Sequence, residues 1–397
     1  MVVKMKKIYA IILTFFLSIS FVYADEFDVT SKNIILYNLN DNTVLYNINE
    51  DEKVSIASLT KIMTSIVAIE NINDLNEFVV IKNKDFEGLN GYSKAGFKVN
   101  DKVTYLDLLY GILLPSGADA VNAIINNTLG YDSFINQMNE LAKKIGMNNT
   151  SFSNPVGMDD ENNYSSAKDV SILLSYALKN DTFKKIFTTK SYTTTNGIKL
   201  LRTLDVYKNG LNTDEILGAK TGFTLEAGRC LASTANLNNV DYMLIVLGSN
   251  PLNASSAIKD SLTIYDYYKD NYSYQKVLSK ETEIKRLPIE KSKEKEYIIY
   301  GNDDIEMYLK NNADITYEFD GVEKVKYNTK KGALLGKINI YNGNNLLTSL
   351  DVHLDKNIKY NPSIIIIIVI IILLYMFWKI VKKLLKRMRK KRRKMSK

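Results

Sequence analysis

Apolar and polar positions alternate through residues 28–48, around Ile34, Leu36, Val44, Tyr46 and Ile48, with Asn40-Asp41-Asn42 between the two runs. A period of two interrupted by turn-forming residues predicts an antiparallel hairpin. After Ser58 the period lengthens: Ile62, Met63, Ile66, Val67 and Ile69 recur at three and four residues, which predicts a helix beginning near Ser58. Thr104 followed by Asp107, and Ser166 followed by Asp169, have the spacing of capping boxes ahead of two further apolar stripes.

From Ala219 to Gly248 the texture is that of strands, and residues 229–235 and 240–246 are predicted to pair antiparallel across Asn236-Leu237-Asn238-Asn239. A tyrosine-rich helix is expected over residues 255–269, and a domain boundary around residues 272–283, next to a charged stretch over 279–296 that holds Pro288. Short alternating segments at 296–300, 315–319, 333–341 and 346–354, punctuated by Gly301-Asn302 and Asn342-Gly343, predict a small β domain.

The two ends have a different pattern. Lys4, Lys6 and Lys7 precede an apolar run from Ile8 to Val22 that closes on Val22-Tyr23-Ala24, the layout of a secretory signal peptide cleaved after Ala24. Near the other end, 16 uncharged residues run from Ser363 to Trp378, and Ile380 and Val381 extend them if Lys379 snorkels. A membrane helix is therefore expected over residues 361–381. The basic residues that follow, to Lys397, place the tail, residues 382–397, on the cytoplasmic side and the body of the chain outside.

This layout changes the meaning of the +8 net charge. Three lysines in the leader and twelve basic residues from Lys379 onward leave 37 of the 52 Lys and Arg against 44 acids, so the exported part carries about −7. Nucleic acid is excluded as an expected partner, while the tail suits an anionic inner leaflet. Some 46% of the residues are hydrophobic, enough for an ordinary core across two domains. The single cysteine, Cys230, rules out an internal disulfide and is expected to be buried and inert.

The only histidine, His353, lies ten residues before Ser363, where the apolar run begins, which argues against a Ser-His-Asp triad and against a zinc site. The available chemistry is that of serine, lysine, acids and tyrosine. Ser58 and Lys61 stand three residues apart at a helix start, so both side chains share one face, and a neutral lysine can take the serine proton. Free lysine titrates near about 10.4, so the site must lower that by burial or by neighbouring cations. Lys220-Thr221-Gly222 supplies a second lysine at a predicted strand, with a glycine that admits close approach, and Lys220 and Thr221 can grip a carboxylate. Between the two lies Ser116 in Leu114-Pro115-Ser116-Gly117-Ala118. Each signal alone is weak; their order in an exported chain is specific.

With Ala57-Ser58-Leu59-Thr60-Lys61-Ile62-Met63-Thr64, Asn154-Pro155-Val156-Gly157-Met158-Asp159-Asp160, Gly218-Ala219-Lys220-Thr221-Gly222-Phe223-Thr224 and Ala227-Gly228-Arg229-Cys230, the sequence resembles the low-molecular-mass penicillin-binding proteins, the D-Ala-D-Ala carboxypeptidases of peptidase family S11, over residues 29–270. The resemblance implies an α+β catalytic domain over residues 25–273, like serine β-lactamases and transpeptidases, with an antiparallel sheet, helices on both faces and a helical subdomain. A small all-β stalk over residues 274–360 and one C-terminal membrane helix follow.

It further implies that Ser58 attacks the carbonyl between the two terminal D-alanines of a peptidoglycan stem and that Lys61 takes its proton. The N–H groups of Ser58 and Phe223 would form the oxyanion hole, Lys220 and Thr221 would hold the terminal carboxylate beside Gly222, and Ser116 would relay a proton to the leaving D-alanine. β-Lactams would acylate Ser58, and neither a metal nor a cofactor is called for.

In the family the middle motif usually reads Ser-x-Asn, and here its third place is Ala118. Asp119 and Asn122 are the nearest candidates to stand in. The departure leaves open a slow or non-catalytic penicillin- and peptidoglycan-binding homologue. A β-lactamase is a further alternative, although no Glu-x-x-x-Asn segment lies between the second and third motifs. Arg202 is either a surface residue or an addition to the carboxylate clamp, and Asn154-Pro155 with Asp159-Asp160 reads as turn-forming before metal-binding.

Overall fold

The computed structural model describes residues 27–361 and 363–395, and the leader expected over residues 1–24 lies outside the described residues. The chain divides into two compact units, Met1–Asp270 and Asn271–Lys397.

In the first unit the alternating segment forms the expected hairpin, β1 (Asn33–Asn38) and β2 (Thr43–Ile48), turning through Asn42 at φ 57°. Two small ribbons follow, β3 (Phe78–Val80) with β4 (Lys102–Thr104) and β5 (Ser191–Thr193) with β6 (Lys199–Leu201). The strand-rich region gives β7 (Ile216–Thr224), β8 (Gly228–Leu237) and β9 (Val240–Ser249). One antiparallel sheet results, in the order β2-β1-β9-β8-β7, so among the described residues no strand pairs with the outer edge of β7. The turn between β8 and β9 is tighter than the four residues expected. Asn236 and Leu237 still pair with Asp241 and Val240, and Asn238 and Asn239 alone make the bend, both at positive φ. Asparagine tolerates this left-handed backbone, which suits the right-handed twist of the strands.

The helices are α1 (Thr60–Asn71), α2 (Tyr105–Leu113), α3 (Ala118–Asn127), α4 (Tyr131–Ile145), α5 (Ala167–Ala177), α6 (Asp181–Phe187), α7 (Thr203–Tyr207) and α8 (Ser256–Asn271). Sheet residues Ile35, Ala232, Met243 and Ile245 share one core with Ile62, Met63, Ile66, Leu108, Ile124 and Leu173 from the helical subdomain. On the opposite face α8 covers the sheet, where the Tyr265 hydroxyl lies 3.0 Å from Ser233 Oγ and the Tyr268 hydroxyl donates to Leu45 O at 2.9 Å. Asp260 of α8 also clasps the segment leading into β1, its Oδ2 accepting from Thr30 N at 3.0 Å and Ser31 N at 2.8 Å. The arrangement is the α+β one expected, with helices on both faces of an antiparallel sheet.

The Thr104 capping box closes as its spacing predicts: Thr104 Oγ1 accepts from Asp107 N at 3.1 Å, and Asp107 Oδ2 accepts from Thr104 N at 2.9 Å. At Ser166 only half of it forms. Asp169 N donates to Ser166 Oγ, but the Asp169 carboxylate turns to Asn149 N at 2.6 Å and Thr150 Oγ1 at 2.7 Å, trading the second cap bond for a tether on the preceding loop.

The second unit carries β10 (Tyr272–Leu278), β11 (Glu283–Glu290), β12 (Glu296–Tyr300), β13 (Ile305–Lys310), β14 (Ile315–Gly321), β15 (Val325–Lys326), β16 (Leu334–Asn342) and β17 (Asn345–His353), gathered on Leu287, Ile299, Ile338, Ile340 and Val352. The stretch expected to be a boundary is β10 paired with β13, and the charged stretch contains β11 with Pro288 inside it. Their alternation is faint because the outward faces carry Lys and Glu and each strand buries only two residues. A last helix, α9 (Ser363–Met395), includes a span from Ile365 to Arg392 that is long and apolar enough to cross a membrane by length and composition. It continues through the basic residues, since lysine and arginine are good helix formers and neither glycine nor proline interrupts them.

Candidate active site

Ser58 sits in a single 3-10 turn, Ala57–Leu59, that precedes α1 rather than in the α-helix itself. Ala57 supplies the bend at φ 46°, a left-handed conformation that costs about 1–3 kcal/mol in a residue other than glycine. Two glycines let other chain segments close on this turn. A methyl group added at Gly157, which stands at φ 80°, would lie 2.0 Å from Ala57 O, and one at Gly222 would lie 3.0 Å from Ile56 O. The turn is thus wedged between the 154–159 loop and edge strand β7. Gly157→Ala is expected to destabilise the protein by about 3 kcal/mol or more, lowering Tm by roughly 6–12 °C. Thermal unfolding of the variant checks this, and an unchanged Tm contradicts the wedge.

The 3.6-residue period of the following helix brings Lys61 beneath Ser58. Lys61 is buried, and its Nζ donates to Ser58 Oγ at 3.0 Å and to Val156 O at 2.6 Å. Burial lowers its pKa from 10.5 to about 7, against the opposing pull of the Asp119 carboxylate. A lysine with this pKa is about half neutral at pH 7, and that fraction can accept a proton. Ser58 itself is half-buried at the wall of a cleft of about 430 Å³.

Ser116, between α2 and α3, also lines the cleft, and like Ala57 it holds a left-handed backbone, at φ 65°. Its Oγ accepts from Lys220 Nζ at 3.0 Å, and the same Nζ donates to Thr221 O at 2.7 Å. Lys220 is fully buried, and burial first and the Lys61 charge second hold its pKa well below the ordinary 10.5. Thr221, Gly222 and Phe223 of β7 form the cleft wall, whereas Lys220 lies behind it. Thr221 Oγ1 donates to Thr203 Oγ1 at 2.6 Å.

All seven residues singled out from the sequence, Ser58, Lys61, Ser116, Lys220, Thr221, Gly222 and Phe223, therefore meet at one place. Arg202 does not join them, nor is it on the surface. It is buried, ion-paired to Asp205 at 2.9 Å and bonded to Leu217 O at 3.2 Å, so that it braces the start of β7.

Ala118 is buried as the first residue of α3, and its N–H donates to Ser93 O at 2.9 Å. Neither neighbour fills the place of the missing asparagine. Asp119 accepts from Ala95 N at 2.7 Å and Gly96 N at 3.2 Å, and Asn122 donates to Asp85 O and Glu87 O. Lys61 is instead held by Val156 O, a backbone atom.

Asn154 makes a turn, as expected: its Oδ1 accepts from Gly157 N at 2.9 Å and Met158 N at 2.8 Å. Asp159 links that loop to the site, accepting at Oδ1 from Ser55 Oγ at 2.7 Å and Thr224 Oγ1 at 2.8 Å. Among the described residues no group of three or more metal-binding side chains occurs. Cys230 is buried with its thiol pushed up to about 12 by desolvation, which makes it a poor nucleophile.

Several cleft residues carried no signal of their own in the sequence. Asn90, Tyr92 and Ser93 come from an irregular stretch between a 3-10 turn, Asn83–Phe86, and β4, where no period exists to read. Arg229 could have been found: counting back across the β7–β8 turn puts it opposite Phe223.

Comparison with known proteins gives consistent results. The family model described as D-alanyl-D-alanine carboxypeptidase, Peptidase_S11, matches residues 21–251. A D-alanyl-D-alanine carboxypeptidase of Streptomyces sp. (strain K15) is 35% identical over 233 residues, 55% of this chain and 79% of the relative. The D-alanyl-D-alanine carboxypeptidase DacF of Bacillus subtilis is 26% identical over 336 residues, 82% of each chain. In fold, crystallised penicillin binding protein 5 from Haemophilus influenzae superposes with a TM-score of 0.61 at 22% identity, covering 85% of this chain and 99% of that one.

Proposed function

Because the chain belongs to the D-alanyl-D-alanine carboxypeptidase family, S11, we propose that it removes the terminal D-alanine from peptidoglycan stem peptides through an acyl-enzyme on Ser58 and that penicillin acylates the same serine. The observation that carries this reading is the 3.0 Å contact from the buried Lys61 Nζ to Ser58 Oγ, with a lysine whose pKa has fallen to about 7.

The stem peptide adds as a short strand along the free edge of β7, whose backbone groups supply the main-chain hydrogen bonds. Neutral Lys61 takes the Ser58 proton while Oγ bonds to the carbonyl carbon of the penultimate D-alanine. The N–H groups of Ser58 and Phe223 receive the oxyanion, each worth about 3–4 kcal/mol in such a site. On collapse the C–N bond breaks, and the amine of the terminal D-alanine leaves with a proton passed from the Lys61 ammonium through Ser116 Oγ. Water, deprotonated in turn by Lys61, then releases the shortened stem and restores Ser58.

Lys220 contributes from behind the wall by holding Ser116 Oγ, and Thr221 and Gly222 shape the face along which the substrate terminus lies. Ala118 does not favour the binding-only reading, since Lys61 is anchored without a side chain at that position.

Residues 25–273 form the catalytic domain and 274–360 a β-rich stalk in this reading. The apolar part of α9 anchors the protein in the membrane, with the catalytic domain outside and the basic end of the helix in the cytoplasm, as the positive-inside rule requires. Release of D-alanine from a stem pentapeptide, measured by amino-acid chromatography, tests the activity. One equivalent per peptide with a tetrapeptide product is expected, and an intact pentapeptide after prolonged incubation contradicts it.

A further inference from the structure

The part of the chain between the leader and the membrane helix is acidic, yet its charge is not evenly spread. Residues 290–295, 323–331 and 355–361 of the second unit hold nine lysines against four acids. These segments are separate in sequence, and the fold gathers them. Ser292 forms a bridge with Tyr360, and Lys291 O accepts from Asn361 N at 2.9 Å. Lys331 N donates to Asn357 Oδ1 at 2.8 Å, and β15 pairs with the end of β11, Val325 and Lys326 lying opposite Ile289 and Glu290. The three segments make one surface, and the chain passes from it into α9.

Ion pairs on this surface engage only part of its charge. Glu290 pairs with Lys324 at 2.6 Å and Glu294 with Lys356 at 2.5 Å. The other two acids, Glu323 and Asp355, act on the same two lysines. Lys291, Lys326, Lys330, Lys331 and Lys359 are exposed, and among the described residues none of them has a carboxylate within ion-pair distance. Like charges gathered in this way repel one another, and an anionic surface relieves the repulsion.

Two exposed tyrosines stand among these lysines. The Tyr327 and Tyr360 rings are 4.9 Å apart, and Lys291 Nζ lies 5.9 Å from the Tyr327 ring centre. Tyrosine beside lysine is the pairing found at membrane interfaces, where the ring is apolar and its hydroxyl reaches water. Chain length supplies the position. Tyr360 precedes Ser363, where α9 begins, by three residues, so no more than about 11 Å of chain separates them. The headgroup layer beside the hydrocarbon is roughly 5–8 Å deep, and charge acts across a Debye length of about 8 Å beyond it. The tether thus keeps the surface within reach of lipid phosphates.

We propose that this end of the β domain is a second membrane contact, in which Lys291, Lys326, Lys330, Lys331 and Lys359 bind the phosphates of anionic phospholipids on the outer face while Tyr327 and Tyr360 enter the headgroup layer. The proposal rests on the membrane-anchored reading of α9 given above and goes beyond it. The helix fixes where the β domain stands, and this contact fixes how it is tilted over the bilayer. The basic tail lies at the other end of α9 and serves the opposite leaflet.

The test uses the full-length protein in nanodiscs of phosphatidylcholine alone or of phosphatidylcholine mixed with phosphatidylglycerol, with hydrogen exchange read by mass spectrometry. Amides of residues 289–295 and 325–332 are expected to exchange roughly five-fold more slowly in the anionic discs, whereas residues 301–304 should not change. Salt at about 0.5 M should remove the difference. The combined variant K291Q/K326Q/K330Q/K331Q/K359Q keeps the tail intact and should lose the protection while its acylation by penicillin stays at the wild-type rate.

Equal exchange in the two kinds of disc, or protection that survives in the variant, overturns the proposal. So does equal protection by soluble poly(glycerol phosphate) added to phosphatidylcholine discs, which would make the ligand a free polyanion in place of a lipid surface. A wild type that does not enter discs at all defeats the anchored reading and the contact together. One that enters them and exchanges alike in both defeats only the contact.

Discussion

Ser58→Ala is expected to lower D-alanine release from a stem pentapeptide by roughly 10⁴- to 10⁶-fold, the scale on which removal of a serine nucleophile acts in enzymes where nucleophile and base work as a unit. The substitution removes one half-buried oxygen that accepts from Lys61 Nζ. It creates no large cavity, so stability should change by less than about 1 kcal/mol. Kinetics and unfolding then separate cleanly: a silent enzyme with an unchanged melting curve identifies the nucleophile, whereas residual turnover within tenfold of the wild type would mean that another hydroxyl attacks. Ser116 is the competing serine that the sequence singles out within the cleft. Its Oγ, however, is bonded to Lys220, itself fully buried.

The second large effect belongs to Lys61→Met, for which a loss of about 10²- to 10⁴-fold in acylation is expected, the usual contribution of a positioned general base. Methionine keeps the length and apolar stem of lysine while removing the amine, so packing in the buried site is largely preserved. The same lysine gives the reaction its pH dependence. Acylation needs the neutral amine, and with a pKa of about 7 the neutral fraction falls tenfold for each pH unit below that value and levels off above it. The wild-type rate should therefore climb from pH 5 to about 7 and then flatten. Lys61→Met should be slow throughout and lack the acidic limb, as stopped-flow acylation across pH would show. A limb that survives in the variant would mean that a different group is titrating.

How much of this was legible beforehand depended on what each element is made of. Helix α1 and the hairpin of β1 and β2 were plain because their apolar residues recur at the period of the element, although burial itself runs without a break from Thr60 to Ala68 and from Asn33 to Leu36. The capping box at Thr104 was plain because two residue types at one spacing define it. The first two strands of the second unit, β10 and β11, were missed: Lys285, Arg286 and Pro288 interrupt the alternation, and of β11 only Leu287 and Ile289 are buried.

The site shows the same division. Ser58, Lys61, Ser116 and the Lys220-Thr221-Gly222-Phe223 run carry chemistry in their residue types and could be named before any fold was known. The residues that tune them could not, because their effect arises from atoms with no sequence signature. Val156 acts on Lys61 through a backbone carbonyl, and Asp119 acts through charge while its oxygens serve Ala95 and Gly96. Arg202 was misread in both directions, since nothing in its neighbours foretold a buried ion pair with Asp205. The strained backbone at Ala57 and Ser116 is likewise invisible in sequence, although it is what turns both serines toward one cleft.

The central claim is that Ser58, activated by Lys61, is the acylated residue. It is tested most directly by incubating the protein with penicillin, measuring its intact mass and mapping the modified peptide. The account predicts a mass increase of one penicillin, located on Ser58 and absent from Ser58→Ala; an adduct on any other residue, or no adduct on the folded wild type, would contradict it.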